Sequence, residues 1–334
     1  MTKKLFIRYA ILALACVLLY FLLKKQNANE VIDSITQSDW RWFIPVFAIT
    51  FLGNIIRALR WRMMVQSGGY ALTLSNAFLA LMCGYFINFL VPRLGELTRC
   101  VALKKNESVP VEYSLGTVVT ERLIDVLSIL LITFCAFAAY YSSLHLFFEK
   151  HLFPGIKYFF TSKLKLAVFA SSMLLLCIIA YFLLSRKLAR NKWWLKGVEF
   201  FARAKNGMLS IFRMKQRVFF LIATACIWVC YFLSTYLWFF GYAPFHSSGF
   251  KEALILLIAG TVARSFPVQG QGAGIYHFMI AQTVLLFGIS EKDGLVLSIL
   301  IYITQTAFYF FVGGICALIV LFQKEKLYSY NTNS

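Results

Sequence analysis

The chain has 334 residues, 60% of them hydrophobic and only 14% charged, with a formal net charge of +19. A soluble globular domain holds about 45–50% apolar and about 25% charged residues, so this composition, with a mean hydropathy of +0.73, excludes an ordinary water-soluble enzyme. The positive excess lies between long apolar runs. It therefore marks cytoplasmic loops of a membrane protein and not a nucleic-acid-binding surface.

A membrane span takes roughly 20 apolar residues to cross about 30 Å of hydrocarbon. Segments 5–23, 43–59, 113–141, 166–184, 218–241 and 294–322 meet or approach that length. The first follows Lys3 and Lys4 and is followed at once by Lys24 and Lys25. With no small-x-small cleavage site, it reads as an uncleaved first span. The second ends in Arg57, Arg60 and Trp61, which are expected at the inner boundary, where arginine stems snorkel toward water.

Segment 74–105 comes next. A full crossing here would put Lys104 and Lys105 outside, and after two more spans the strongly basic loop 186–217 as well. That conflicts with the tendency of Lys and Arg to stay cytoplasmic. The conflict disappears if 74–105 dips into the membrane and returns to its own side. Residues 253–288 are likewise one apolar stretch broken at 266–274. Each arm of about 14 residues makes roughly 21 Å of helix, too short to span comfortably, and a hairpin from the outside fits.

The expected fold is therefore an all-α polytopic membrane protein of about six full spans plus two re-entrant hairpins. Residues 1–334 form a single membrane domain, with repeat A at 43–141 and repeat B at 218–322 in inverted topology. Interrupted segments at matching places in two such halves point to a binding site at the bilayer midplane. The basic loop 186–217 mixes Trp193, Trp194, Phe200 and Phe201 with Lys and Arg, a composition suited to anionic headgroups. Both termini are expected on the cytoplasmic side of a bacterial inner membrane, as a multi-pass protein.

Charges within spans are costly and usually functional. Arg93, Glu96 and Arg99 surround the first break. Glu121, Arg122 and Asp125 follow in the next span, and Arg264 lies one turn before Pro267. At helical spacing Glu96 neighbours Arg99, and Arg122 neighbours Asp125. Gly270, Gly272 and Gly274 leave backbone amides open at the second tip. The set reads either as internal pairing that holds the hairpins or as an anion site, since hairpin tips aim helix N-termini at a phosphate and Arg matches its geometry. His277, one turn after the glycines, reads as a packed polar residue or as a proton-linked switch. No catalytic constellation, metal-ligand spacing or cofactor motif appears. The eight cysteines read as small buried hydrophobes.

Arg57-x-x-Arg60-Trp61, Pro92-Arg93-x-Gly95-Glu96-x-x-Arg99, Glu121-Arg122-x-x-Asp125 and the Pro267/Gly-rich segment resemble the lysylphosphatidylglycerol synthase transmembrane-domain family, also called the flippase-like domain family. The similarity runs from about residue 10 to 322. It implies a membrane domain that moves, or helps move, anionic or modified lipids between leaflets. Longer members carry a cytoplasmic aminoacyl transferase domain, which this sequence lacks. The family's second motif usually ends in Glu, where this chain has His277, so a coupling role for that Glu does not carry over. The implied partners are phosphate-bearing membrane lipids and a cytoplasmic lipid-modifying enzyme. Two alternatives stand beside the flippase: a membrane-embedded headgroup transferase using Glu121 and Asp125 as acid and base, and a scaffold for a partner lipid synthase.

Overall fold

The computed structural model describes residues 28–91, 94–140, 205–210, 214, 216–265 and 274–323. The expected spans 5–23 and 166–184, nearly all of the basic loop, and the two hairpin tips, with Arg93, Gly270 and Gly272, lie outside these residues. The chain divides into two compact units, Met1–Thr133 with Ala204–Ser334, and Phe134–Arg203. All described residues except 134–140 belong to the first unit.

The described elements are helical throughout. They are α1 (Ala28–Thr36), α2 (Phe43–Gln66), α3 (Leu74–Leu90), α4 (Leu94–Glu107), α5 (Val111–Ala139), α6 (Arg217–Gly241), α7 (Phe250–Ser265), α8 (Ile275–Val284) and α9 (Glu291–Phe322). Counting the short turn that leads into α2, the helices at Trp40–Gln66, Val111–Ala139, Arg217–Gly241 and Glu291–Phe322 are long and apolar enough to cross a membrane. Their outward faces are apolar. Leu127, Leu130 and Leu131 on α5, Leu221 on α6, and Phe311 and Leu321 on α9 are all exposed. Water would make such belts costly, but lipid tails make them neutral.

Caps fix the helix starts. Thr73 accepts the amide of Asn76 at the start of α3, and Ser290 accepts that of Asp293 at the start of α9, each satisfying an amide with no partner inside its helix. Gly274 begins α8 at φ +86°, a left-handed geometry that a residue with a Cβ adopts at a cost.

Two buried clusters hold the unit together. One packs α3, α4, the C-terminal halves of α2 and α9, and the start of α5 around Trp61, Leu81 and Leu103. The other packs α6–α8 and the first half of α9 around Trp238, Phe245 and Leu300. The short helices α3 and α4 form an antiparallel pair. Thr73 and Asn76, at the start of α3, donate to Glu107 at the end of α4, at 3.1 and 2.6 Å. At the break, the Gly95 amide donates to Asn88 Oδ1 at 2.9 Å. The helices cross on glycines: a Cβ on Gly84 would meet the Gly95 carbonyl oxygen at 2.7 Å, and one on Gly95 would run into the Gly84 carbonyl. Gly95→Val is expected to force the pair apart. Size-exclusion chromatography of the detergent-solubilised variant should show aggregate in place of the wild-type peak.

Helix α9 lies tightly on this pair. A Cβ on Gly313 would meet the Met82 carbonyl oxygen at 3.0 Å and Phe86 at 3.1 Å. Its end is latched: Lys105 Nζ donates to the carbonyls of Val320 and Leu321, both at 3.0 Å, and Asn106 donates to Gln323 at 2.5 Å. At the opposite end of the unit, Trp40 and Trp238 pack edge to face and Trp42 stacks on Phe240. Aromatic residues at the ends of spans suit a membrane interface, although Trp238 itself is buried in the protein.

Candidate functional site

Glu121 is the hub of a buried ion network. Its Oε1 accepts Arg57 Nε at 2.8 Å and Arg60 Nη2 at 3.2 Å, and its Oε2 accepts Arg99 Nη2 at 2.8 Å. One turn on, Asp125 Oδ2 accepts Arg57 Nη2 at 2.8 Å and Oδ1 accepts Arg60 Nη2 at 2.7 Å. Four helices meet here: α2 brings Arg57 and Arg60, α4 brings Arg99, α5 brings both carboxylates, and α6 brings Tyr231, whose hydroxyl accepts Arg57 Nη1 at 2.5 Å. Helical spacing explains the register, because Arg57 and Arg60 lie at i, i+3 and Glu121 and Asp125 at i, i+4 on facing stripes. Aromatic faces complete the shell. Arg99 sits 4.9 Å over Trp61, and Arg60 5.9 Å over Phe220.

This arrangement corrects three expectations. Arg57 and Arg60 do not reach out to the inner boundary. They are 6% and 0% exposed and end on carboxylates within the protein. Trp61, expected beside them at the boundary, is fully buried and donates to Thr117 at 3.0 Å. The helical neighbours Glu96 and Arg99 do not pair, and neither do Arg122 and Asp125. Instead Arg99 goes to Glu121, and Arg122 Nε donates to Glu96 at 2.8 Å across helices. The physical reason is the medium. A neighbouring pair on a helix surface is worth only about 0.2–0.5 kcal/mol, whereas an ion left alone in a buried site costs several kcal/mol.

Beside the network lies a cavity of about 740 Å³, lined by residues from each of α2–α9. Its lining includes Arg264 from α7 and Arg122 and Asp125 from α5. Asn88 and Glu96, flanking the first break, and Ser265 and Tyr276, flanking the second, all line this one space. Arg264 has its guanidinium 4.2 Å over the Tyr276 ring, and no carboxylate pairs with it among the described residues. Across network and cavity, five arginines face three carboxylates, a formal excess of two positive charges among the described residues.

The other expected residues fall as follows. Gly274 caps α8 behind Tyr276. His277 is buried off the cavity, with Nδ1 2.8 Å from Ser298 Oγ. Since that hydroxyl already donates to the Leu295 carbonyl, it accepts from His277, which fixes the proton on Nδ1. Asn88, Tyr85, Tyr231 and Gln305 line the cavity and were missed from the sequence. A lone amide in an apolar run is a signal that could have found Asn88 and Gln305. Tyr85 and Tyr231 carry no such signal.

A helical bundle with lipid-facing apolar belts and a cationic cavity between broken helices is a polytopic membrane protein built around an internal polar site. The chain belongs to the family described as lysylphosphatidylglycerol synthase TM region, which matches residues 6–313. A stretch of 100 residues is 30% identical to the UPF0104 membrane protein MJ1595 of Methanocaldococcus jannaschii, covering 29% of this chain and 30% of that protein. No solved structure matches.

Proposed function

We propose that this protein carries phosphate-bearing lipids between the leaflets of the membrane, with the headgroup in the cavity and the acyl tails left in lipid. One observation carries this reading: a cavity bounded by both broken helix pairs holds Arg264, a guanidinium that no carboxylate among the described residues occupies, with Arg122 in the same lining. Arg264 has no acidic partner among the described residues, and Arg122 spends only Nε on Glu96. Guanidinium forks match phosphate oxygens two by two.

Repeats A and B are unequally packed, and this supports alternating access. Helix α3 in repeat A lies hard against α9. The corresponding pair in the inverted repeat, α7 and α5, is parted by the cavity. Exchange of these two packings would close the cavity on one side and open its counterpart on the other, the usual behaviour of inverted-repeat carriers. The re-entrant reading of both hairpins belongs to this proposal. α3 and α4 contain 17 and 14 residues, about 25 and 21 Å of helix, each short of the hydrocarbon thickness. In a cysteine-free background, Gln66→Cys and Lys104→Cys, before and after the first hairpin, are expected to react with an impermeant maleimide from the same side of the membrane. Reaction from opposite sides would make this segment a full crossing and remove both hairpin and carrier.

The transferase alternative needs Glu121 as a working acid or base. Its two oxygens are held by three arginines and none of its surface is exposed, which favours the carrier. The functional test is translocation of a tail-labelled anionic lipid in reconstituted vesicles, read by dithionite quenching. Arg122→Gln is expected to abolish translocation while the protein still reconstitutes. An unchanged rate would remove Arg122 from the site.

A further inference from the structure

A carrier needs one end of its bundle shut while the other admits lipid. Helix α9 ends at Phe322 with no basic residue in its last turn, so its final carbonyls lack both an intrahelical donor and a cation of their own. Helix α4 supplies both. Lys105 Nζ donates to the Val320 and Leu321 carbonyls, at 3.0 Å each. Next to it, the buried Asn106 donates through Nδ2 to Gln323 Oε1, and Gln323 Nε2 reaches Asn76 Oδ1 on α3 at 3.5 Å. Asn76 Nδ2 donates to Glu107 at 2.6 Å. The start of α3, the end of α4 and the end of α9 are thus tied by one chain of polar contacts. The cavity touches α9 no nearer to this tie than Tyr309, about 16 Å back along the helix from Val320.

Its build is that of a contact made to part. Between cavity and tie, α9 meets α3 at Gly313, where a Cβ would come within 3.0 Å of the Met82 carbonyl oxygen. That contact interlocks no α9 side chain, so the helix can rock there. The tie itself is made of hydrogen bonds at the end of a span, beside the exposed Lys104 and Phe322. Water can replace each partner when the ends separate, at small net cost. Asn106 Oδ1 is buried in the closed arrangement with no partner among the described residues, so closure leaves one acceptor unsatisfied. The equivalent place in repeat B is the end of α8 against α5. There Gln282 donates to Glu291 within its own repeat, at 2.7 Å, and among the described residues no hydrogen bond joins α8 to residues 111–133 of α5. We infer that Lys105, Asn106 and Gln323 are the latch of a gate: they hold α9 shut on the α3–α4 pair, and their parting is a step of the transport cycle. The inference rests on the carrier function proposed above and adds to it which end is closed and by what.

Two measurements on the cysteine-free full chain in vesicles test this. The first is the distance between spin labels at Lys104→Cys and Phe322→Cys, which is expected to be mainly short. Lys105→Met should raise the long-distance population at least about threefold, the effect of removing a cation from a helix C-terminus. Lys105→Arg, which still donates to the carbonyls, should keep the original distribution. An unchanged distribution in Lys105→Met would overturn the latch. The second measurement leaves Lys105 in place. Asn106→Cys with Gln323→Cys, bridged by a short bis-methanethiosulfonate, is expected to slow translocation of tail-labelled phosphatidylglycerol at least about tenfold, and reduction of the bridge should restore it. Failure of the two thiols to bridge, or a bridged protein as fast as the reduced one, would overturn the gate and leave the carrier standing. If the wild-type protein moves no lipid, the carrier falls instead, and the label distances alone decide whether Lys105 holds the ends together.

Discussion

Glu121→Gln is expected to destabilise the protein by about 3–5 kcal/mol, the usual consequence of breaking a buried ion cluster from one side. The wild-type carboxylate takes hydrogen bonds from Arg57, Arg60 and Arg99. An amide of the same shape offers one acceptor oxygen and no charge, so Arg57 and Arg60 would be left with Asp125 as their only carboxylate and Arg99 would be left with none. The network is already short of acceptors: Arg60 Nε and Arg99 Nε and Nη1 are buried with no hydrogen-bond partner among the described residues. Equilibrium unfolding in mixed micelles measures the cost. The double variant Arg99→Gln with Glu121→Gln should be less impaired than the sum of the single variants, because the second change removes one of the stranded charges. Strict additivity, or a Glu121→Gln protein as stable as wild type, would mean that Glu121 does not anchor the bundle.

Arg264→Gln is expected to behave in the opposite way, with translocation of an anionic lipid falling at least about tenfold, the effect of about 1.4 kcal/mol, and stability unchanged. Arg264 holds no carboxylate among the described residues, so its removal strands no acid; it stacks on the Tyr276 ring and hydrogen-bonds to that side chain. Arg264→Lys should restore little, since a compact ammonium can neither stack on the ring nor present two parallel donors to a phosphate. The comparison with Arg57→Gln is informative, because Arg57 serves both network and cavity and should lose stability and transport together. If Arg264→Gln transports at the wild-type rate, the cavity is not the headgroup site.

Much of this site was legible in the amino-acid sequence. Arg99, Glu121, Arg122, Asp125 and Arg264 stand out because a charge in a 20-residue apolar run needs a reason to be there. The paired interruptions at 92–95 and 266–274 marked where helices break. Asn88 and Gln305 were weaker signals of the same kind. Tyr85 and Tyr231 were not legible, because tyrosines in an aromatic-rich membrane sequence are common and nothing local separates one that lines a cavity from one that packs.

The sequence by itself determined the medium, the helical class and the family motifs, because hydropathy, Gly/Pro interruption and charge placement act locally along the chain. Only the tertiary structure decided who pairs with whom. Local spacing pointed to Glu96 with Arg99 and Arg122 with Asp125, yet the folded protein joins Arg99 and Arg57 to Glu121, Arg60 to Asp125 and Arg122 to Glu96. It also drew Arg57 and Arg60 away from the boundary into the bundle. Ion pairing at low dielectric is governed by distance in space and by the cost of leaving any one charge alone, and neither quantity can be read from separation along the chain.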